Sequence, residues 1–328
     1  MNFLKFIRIG TWWFKLPPFL ILIYSYFVKT NIKDIRYEIY PILFLLSGLI
    51  IGAVFASLIN NYYDQEDDVI AGKENLMTNL NKTSQLITLG SIFSLGLFYS
   101  FLLLDNMFAL LFYWLGWICF YLYSSKKFRL KEKAYFGIIL DGLGSQFFPS
   151  LFIFTFLLNG YINNNLTYIL SGSLWMLFSF GMRSLIIHQY YDYENDMKAG
   201  VSTFVNSSPR SVKNGFKFFI LIIEIASFLI FNLCIDLRIL ILPLILYASS
   251  LIILGMMFNV KYYFFKPYFN HKSRSLFFDF YITILPLSIL LLLCLKNLEN
   301  ISLLVLSILI FNIPTLFNLI FFLKKDLK

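Results

Sequence analysis

Charged residues are scarce in this sequence, and their scarcity limits the class of protein it can encode. Only 14% of the 328 residues are Asp, Glu, Lys or Arg, whereas 59% are hydrophobic and 20% aromatic. A soluble protein of this length cannot hide so much apolar surface. Together with a mean hydropathy of +0.74, the composition predicts a protein that crosses a membrane several times.

Histidine and cysteine are rare as well, which argues against a zinc site or a disulfide framework. The chain has 2 His and 3 Cys. The cysteines, Cys119, Cys234 and Cys294, lie singly inside apolar segments and have no spacing typical of either kind of site. We expect them to be small hydrophobic core residues.

Long apolar runs dominate what is present, and they favour transmembrane helices over the alternating ~10-residue segments of a membrane β-barrel. Hydropathy predicts spans near residues 12–28, 38–63, 85–104, 107–124, 135–158, 166–191, 214–235, 237–259, 275–295 and 300–323. The fold class is therefore all-α, in a polytopic membrane protein.

The net charge of +9 follows this predicted topology instead of marking a nucleic-acid surface. Most of the basic residues fall in the loops of one predicted side. The opposite loops hold only Lys29, Lys33, Arg36, Arg238 and Lys296. By the positive-inside rule, both termini and the basic loops are expected in the cytoplasm.

Two acidic motifs end apolar runs, and each closely repeats the other. They read NNYYDQEDDVIAG from Asn60 and HQYYDYENDMKAG from His188. In each motif a polar residue and two acids recur at intervals of four, namely Asn60, Asp64 and Asp68 in the first and His188, Asp192 and Asp196 in the second. This spacing places the three side chains on one face of a helix, whereas Glu194 points elsewhere.

Acids stacked in this way repel one another, so the two motifs favour a shared positive counter-charge. Hard oxygen ligands without His or Cys suit Mg²⁺, which keeps several waters and binds substrate phosphates. The alternative is a pair of solvated acidic loops at helix ends. Two matching motifs on one predicted face of the membrane favour the magnesium site.

A basic segment, YSSKKFRLKEK from Tyr123, lies between the two motifs. It is either an ordinary cytoplasmic loop or a phosphate-binding loop, in which Lys127 and either Arg129 or Lys131 contact phosphate oxygens. The loop after the second motif adds Lys198 and Arg210, with the same two interpretations.

The two motifs and the element Tyr123-xxx-Lys127 between them resemble the UbiA superfamily of intramembrane aromatic prenyltransferases, over roughly residues 5–295. The resemblance implies one domain, residues 1–328, with nine transmembrane helices in a ring around a central cavity. The segment near 300–323 would then be an additional C-terminal helix. Asn61 stands where many members have Asp, and prolines common in the basic loop are absent.

The resemblance also implies a reaction, in which an allylic carbocation formed from a polyprenyl diphosphate alkylates an aromatic acceptor such as a quinone or pigment precursor. Two Mg²⁺ ions would be held by Asp64, Asp68, Asp192 and Asp196, with Asn60 as a supporting ligand. Lys127 would bind the diphosphate, assisted by Arg129, Lys131, Lys198 and Lys15. Tyr123 would lie near the reacting carbon.

Two further polar residues are candidates for the catalytic site. His188 replaces the Asn60 of the first motif and is interpreted as a partner of Asp192, a proton acceptor or a backbone-bonded helix-end residue. Arg183 lies about 13 Å further up the same predicted helix, at about 1.5 Å per residue. It would contact an acceptor carboxylate or pair with a buried acid, for which Asp141 and Glu224 are candidates.

Two other functions remain open from the sequence. A membrane terpene cyclase would use the same metals and diphosphate without an acceptor. A transporter or lipid-binding scaffold would use the acids as an ion site, but transporter sites typically lie at the midplane and not at helix ends. An integral, multi-pass prenyltransferase with no nucleic-acid partner is the favoured prediction.

Overall fold

The computed structural model describes residues 3–159, 162–265 and 273–312, and these residues are mostly helical. Continuous apolar runs form helices because, in a bilayer, a helix satisfies its own backbone hydrogen bonds. We number the apolar helices in chain order as helix 1 (Pro17–Lys29), helix 2 (Ile39–Tyr63), helix 3 (Lys82–Phe101), helix 4 (Met107–Ser124), helix 5 (Ala134–Leu158), helix 6 (Asn163–Tyr191), helix 7 (Arg210–Leu233), helix 8 (Ile241–Phe258), helix 9 (Phe280–Lys296) and helix 10 (Leu298–Asn312).

Helices 2 to 8 are long and apolar enough to cross a bilayer, so the chain is an integral membrane protein, as the composition predicted. Helices 9 and 10 are apolar but shorter within the described residues. The predicted span at 300–323 is described only as far as Asn312, and the rest of it lies outside the described residues.

The predicted first span, 12–28, is wrong at its start. Residues Ile9–Trp12 form one helical turn and Trp13–Lys15 a 3₁₀ turn, and helix 1 begins only at Pro17. Proline lacks a backbone N–H and is best accommodated in the first turn of a helix. Pro17 and Pro18 therefore set the start of helix 1.

Several short elements complete the described chain. Helical turns occur at Phe3–Phe6, Ile35–Glu38, Gln65–Ile70, Leu76–Asn79, Leu130–Glu132, Tyr193–Ala199, Phe204–Ser207 and Leu237–Leu240. π-Helical segments lie within helices 5 and 6, at Leu143–Phe147 and Leu177–Arg183, at the start of helix 9, at Phe280–Ile284, and at the described end of helix 10, at Ile308–Asn312. Two three-residue strands, Lys261–Tyr263 and Ser273–Ser275, pair in parallel, a small exception to the all-α prediction.

The chain divides into two compact units. The first unit comprises Met1–Trp13 and Phe44–Phe231. Within it helix 4 packs on helix 5, and helix 5 packs on helix 6, which is the most deeply buried of the long helices. Both acidic motifs and the basic loop belong to this unit.

The second unit comprises Phe14–Leu43 and Asn232–Lys328, and helix 9 packs there on helices 1, 8 and 10. Helix 10 is anchored by the buried amide of Asn300. This side chain accepts from the Ile35 N–H at 3.1 Å and donates to the Lys33 carbonyl at 2.8 Å. These hydrogen bonds tie the start of helix 10 to the segment that precedes helix 2.

Candidate active site

The two acidic motifs have the same backbone conformation. Helix 2 ends at Tyr63, Asp64 breaks the helix with φ −96° and ψ 8°, and the short helix Gln65–Ile70 follows. In the second motif Asp192 has φ −88° and ψ 2° and is followed by the short helix Tyr193–Ala199. The repeat seen in the sequence is therefore a repeat of structure.

Each short helix ends in the same glycine turn. Gly72 and Gly200 both have φ +69°, a left-handed conformation that glycine adopts without strain. The N–H after each glycine bonds back to the second acid of its motif, from Lys73 to the Asp68 carbonyl at 2.7 Å and from Val201 to the Asp196 carbonyl at 2.9 Å. This Schellman-type cap explains why both motifs run into Ala-Gly.

The two motifs lie side by side. Their short helices pack against each other. Lys73 Nζ, just beyond the first motif, lies 3.0 Å from Asp192 Oδ2, the first acid of the second motif. Both side chains are partly exposed, so the pair lies at the edge of the site and not in its core.

The basic segment after helix 4 folds onto the first motif. Lys131 pairs with Asp64, and both side chains are only 11% exposed. Arg129 pairs with Asp67 and also with Glu132. Arg129 has φ 44°, a left-handed conformation that turns the chain back toward the acids.

The other predicted diphosphate-binding residues have different surroundings. Lys127 is exposed, and its Nζ lies 5.5 Å from the centre of the Phe128 ring. Lys198 is exposed on the short helix of the second motif. Lys15 belongs to the second unit. Their roles in binding diphosphate stay predictions.

Asparagine side chains form hydrogen bonds within and around the first motif. Asn75 Nδ2 donates to Asp68 Oδ2 at 2.9 Å and to the Asn61 carbonyl at 2.8 Å. Asn60 accepts from the Ser124 hydroxyl at 3.3 Å. Asn61 accepts from Arg8 at 3.2 Å and so ties the N-terminal segment to the motif.

His188 and Arg183 occupy very different surroundings on helix 6. His188 Nε2 lies 3.4 Å from Asp192 Oδ2, and its side chain is 55% exposed. Arg183 is fully buried, with Nε 2.7 Å from Glu224 Oε2 and Nη2 donating to Oε1 at 2.9 Å. The structure confirms that Arg183 pairs with a buried acid, which is Glu224. A catalytic role for Arg183 stays a prediction.

The carboxylates are close enough to influence one another. Burial raises the pKa of Asp68, and the Asp64 carboxylate raises it further, whereas the hydrogen bond from Asn75 lowers it. Burial and the neighbouring Asp192 raise the pKa of Asp196 to about 6. Crowded carboxylates of this kind bind a cation readily because it relieves their repulsion.

The donor set suits magnesium, although no three His, Cys, Asp or Glu side chains among the described residues converge as ready-made ligands. All the acids offer hard oxygen atoms, and Asn60 and Asn75 add amide oxygens. Mg²⁺ usually binds through one or two carboxylates and completes its shell with water and phosphate oxygens. The residues therefore fit a phosphate-bound magnesium ion better than a closed protein cage, and the individual ligand assignments stay predictions.

Sequence reasoning misses Lys73, Asp67 and Asn75 as members of this site. By sequence alone Lys73 is one more charge of the cytoplasmic loops. A signal is present, since Lys73 follows the repeated glycine directly and the second motif has Val201 at that position. Asp67 and Asn75 have no counterpart in the repeat that would single them out.

Comparisons with solved structures identify the fold. A UbiA homolog from Archaeoglobus fulgidus aligns with 92% of this chain and 100% of its own, at a TM-score of 0.58 and 16% identity. Structures described as a UbiA homolog from Archaeoglobus fulgidus bound to GPP and Mg²⁺, and to DMAPP and Mg²⁺, align at TM-scores of 0.55, with 17% and 16% identity. Each covers 92% of this chain, and 100% and 99% of its own. At such low sequence identity, the similarity to these structures shows a shared fold and nothing further.

The sequence comparison gives the family. No curated protein compared with this chain matches it significantly. The model of the UbiA prenyltransferase family matches residues 37–285, which include both acidic motifs and the basic loop. The chain therefore belongs to the UbiA prenyltransferase family.

Proposed function

We propose that this protein transfers a polyprenyl group from a polyprenyl diphosphate to a small aromatic acceptor, with magnesium bound at the two acidic motifs. The observation that carries the proposal is the junction of the motifs. Lys73 pairs with Asp192, and Lys131 pairs with Asp64. Acidic and basic side chains therefore lie together at the motifs, and a metal-bound diphosphate requires both.

The acidic and the basic side chains have different roles in this proposal. Four carboxylates and one amide would hold magnesium, namely Asp64, Asp68, Asp192, Asp196 and Asn60. Bound magnesium would neutralise the charge that accumulates on the departing diphosphate. Lys131, Arg129 and Lys73 bind the diphosphate oxygens that the metal does not reach, because their flexible side chains can exchange a carboxylate for a phosphate oxygen.

The reacting carbon lies on the membrane side of this charged cluster. Tyr123 is the last but one residue of helix 4 and precedes Ser124, whose hydroxyl donates to Asn60. A tyrosine ring at this position offers a π-face to an allylic cation formed when diphosphate departs. His188, exposed beside Asp192, is the residue that distinguishes the second motif and is assigned to the acceptor side.

Family membership and the solved homologs support the substrate class. The Archaeoglobus fulgidus homologs are described with GPP or DMAPP together with Mg²⁺. The strongly biased distribution of lysine and arginine supports a cytoplasmic position for the active-site loops and both termini. A quinone or pigment precursor is the proposed acceptor, since the family typically alkylates aromatic rings.

The test uses the purified protein in bilayer nanodiscs with Mg²⁺ and labelled geranylgeranyl diphosphate, with and without a panel of hydroxylated aromatic acids. We expect diphosphate release and a prenylated acceptor, and we expect a chelator to stop both. The matched control is the same preparation of Asp64→Ala. Cyclised hydrocarbon from the diphosphate alone would favour the terpene cyclase, and an absence of diphosphate release under every condition would contradict both enzymes.

A further inference from the structure

The first motif contains an acid that the second motif lacks. Asp67 stands three residues after Asp64, whereas Asn195 holds the corresponding position after Asp192. Asp67 therefore lies outside the four-residue repeat that is assigned to magnesium. What its carboxylate does must follow from what it contacts in the folded chain.

One carboxylate oxygen of Asp67 lies beside two basic side chains. Oδ2 accepts a hydrogen bond from Arg129 Nη2 and lies 3.8 Å from Lys131 Nζ. None of the three side chains is more than 23% exposed, so water screens these charges only in part. Both basic residues belong to the segment after helix 4, and both are proposed to bind diphosphate.

Two cations this close to each other repel unless an anion contacts both of them. Asp67 supplies this anion and is not one of the proposed metal ligands. The neighbouring Asp68 has a different partner, since its Oδ2 accepts from Asn75 Nδ2 at 2.9 Å. The two adjacent acids therefore serve different elements, and Asp67 serves the basic segment.

Arg129 is held from two sides. Its Nη2 donates to Asp67 and its Nε donates to Glu132. The guanidinium is planar and has five N–H donors, so these two contacts fix its plane and leave donors for a phosphate. The backbone of Arg129 has φ 44°, which is uncommon for a residue other than glycine, and contacts that hold the side chain also stabilise this turn.

We propose that Asp67 is a positioning residue, which holds Arg129 and Lys131 where they bind the diphosphate of the prenyl substrate. This inference rests on the proposed function. Lys131 also pairs with Asp64. It can exchange Asp64 for a phosphate oxygen and remain beside Asp67, so the ammonium group stays in place when the substrate binds.

Positioning and simple charge repulsion predict opposite effects of removing Asp67. Asp67 and diphosphate are both negative, so removing the carboxylate would strengthen diphosphate binding if its charge acted only at a distance. If Asp67 positions the two cations, its removal weakens binding, because Arg129 and Lys131 lose the contact that places them.

The experiment compares Asp67→Asn and Asp67→Glu with the wild type in bilayer nanodiscs. Titration calorimetry measures the binding of inorganic diphosphate in the presence of Mg²⁺. The matched control is Glu66→Gln, because Glu66 Oε2 lies 2.7 Å from Lys126 Nζ of the same basic segment and both side chains are exposed. Asp67→Asn and Glu66→Gln each remove one negative charge from the same helical turn, so their effects at a distance are similar.

We expect Asp67→Asn to weaken diphosphate binding about 10-fold, which corresponds to one lost hydrogen bond between charged groups. Glu66→Gln should bind as the wild type does. Asp67→Glu keeps the carboxylate and should restore part of the loss. The KM for geranylgeranyl diphosphate should follow the same order.

A double-variant cycle separates positioning from general support of the fold. In an Arg129→Gln background, Asp67→Asn should cost less binding than in the wild type, because one of the two cations that it holds is already missing. Equal losses in both backgrounds, unchanged or tighter binding in Asp67→Asn, or an equal loss in Glu66→Gln would overturn the inference. Failure of the proposed function would differ, since the wild type itself would then bind no diphosphate.

Discussion

Lys73 Nζ lies 3.0 Å from Asp192 Oδ2, and this one ion pair joins the residue after the first acidic motif to the first acid of the second. The two motifs are 128 positions apart in the chain, counted from Asp64 to Asp192. The two short motif helices also pack against each other, so the two motifs lie together in the folded chain.

Replacing the first acid of either motif should abolish turnover. Asp64→Ala and Asp192→Ala each remove a carboxylate at a helix break that we assign to magnesium, and the protein should still insert in the membrane because both acids lie beyond the apolar spans. The measurement is diphosphate release together with the amount of protein in the membrane fraction. Glu194→Ala, an exposed acid two residues after Asp192, is the control and should remain active. Activity in either aspartate variant would contradict the metal assignment.

Lys73→Met should raise the KM for the prenyl diphosphate. A hydrogen bond between charged groups is worth about 1.5–3 kcal/mol, which corresponds to a rise of about 10- to 150-fold. Steady-state kinetics against diphosphate concentration measures it. Lys82→Met, an exposed lysine at the start of helix 3, provides the comparison and should leave the KM unchanged. Equal KM values for the two variants would remove Lys73 from the site.

Magnesium binding should weaken as the pH falls through about 6, because burial and Asp192 raise the pKa of Asp196 to about 6. A proton on Asp196 then competes with the metal. The effect of a falling pH on folding stability has the opposite sign. Since the folded chain holds this proton more tightly than the unfolded chain, Asp196 should make the chelator-treated protein more stable as the pH falls from 7 toward about 4.

Magnesium titrations and thermal unfolding at several pH values test both statements. In Asp196→Asn the contribution of this group to each pH dependence should disappear. If the variant kept the full pH dependence of magnesium binding, another group would be responsible.

Breaking the buried ion pair on helix 6 should destabilise the protein. Glu224→Leu leaves the fully buried Arg183 guanidinium without this carboxylate, and loss of one partner of a buried pair costs about 3–5 kcal/mol. The double variant Arg183→Leu with Glu224→Leu removes both charges and should recover part of the stability. Thermal unfolding in detergent measures the stability of the wild type, of Glu224→Leu and of the double variant. A double variant less stable than Glu224→Leu would show that the charge pairing is not the main contribution.

Gly181→Ala should also destabilise the fold, because helices 5 and 6 touch through glycines. A Cβ at Gly181 would lie 2.6 Å from the Gly142 Cα, so the two backbones must separate. Overpacking of this kind costs about 1–3 kcal/mol. Gly90→Ala in helix 3 meets no atom within 4 Å and should be neutral or slightly stabilising. Equal unfolding temperatures for the two variants would contradict the close contact.

Repetition makes the acidic motifs recognisable from the sequence alone. Four-residue spacing, the tyrosine pair and the Ala-Gly ending are local features, and local backbone geometry follows from them. The spans of helices 2 to 8 are likewise predictable, because a bilayer requires a long apolar run for each crossing. The predicted start of helix 1 is wrong because the apolar run continues through Pro17 and Pro18, where hydropathy carries no information about the missing N–H.

The sequence by itself determined the membrane class and the spans of helices 2 to 8, and it predicted the residue types of the candidate site, since each depends on neighbours along the chain. Only the tertiary structure decided which charges meet. Lys131 and Arg129 contact the first motif, whereas Lys127 is exposed, and Arg183 pairs with Glu224. Such pairings depend on how distant helices pack and on a loop turned by the left-handed Arg129, and no local spacing encodes either of them.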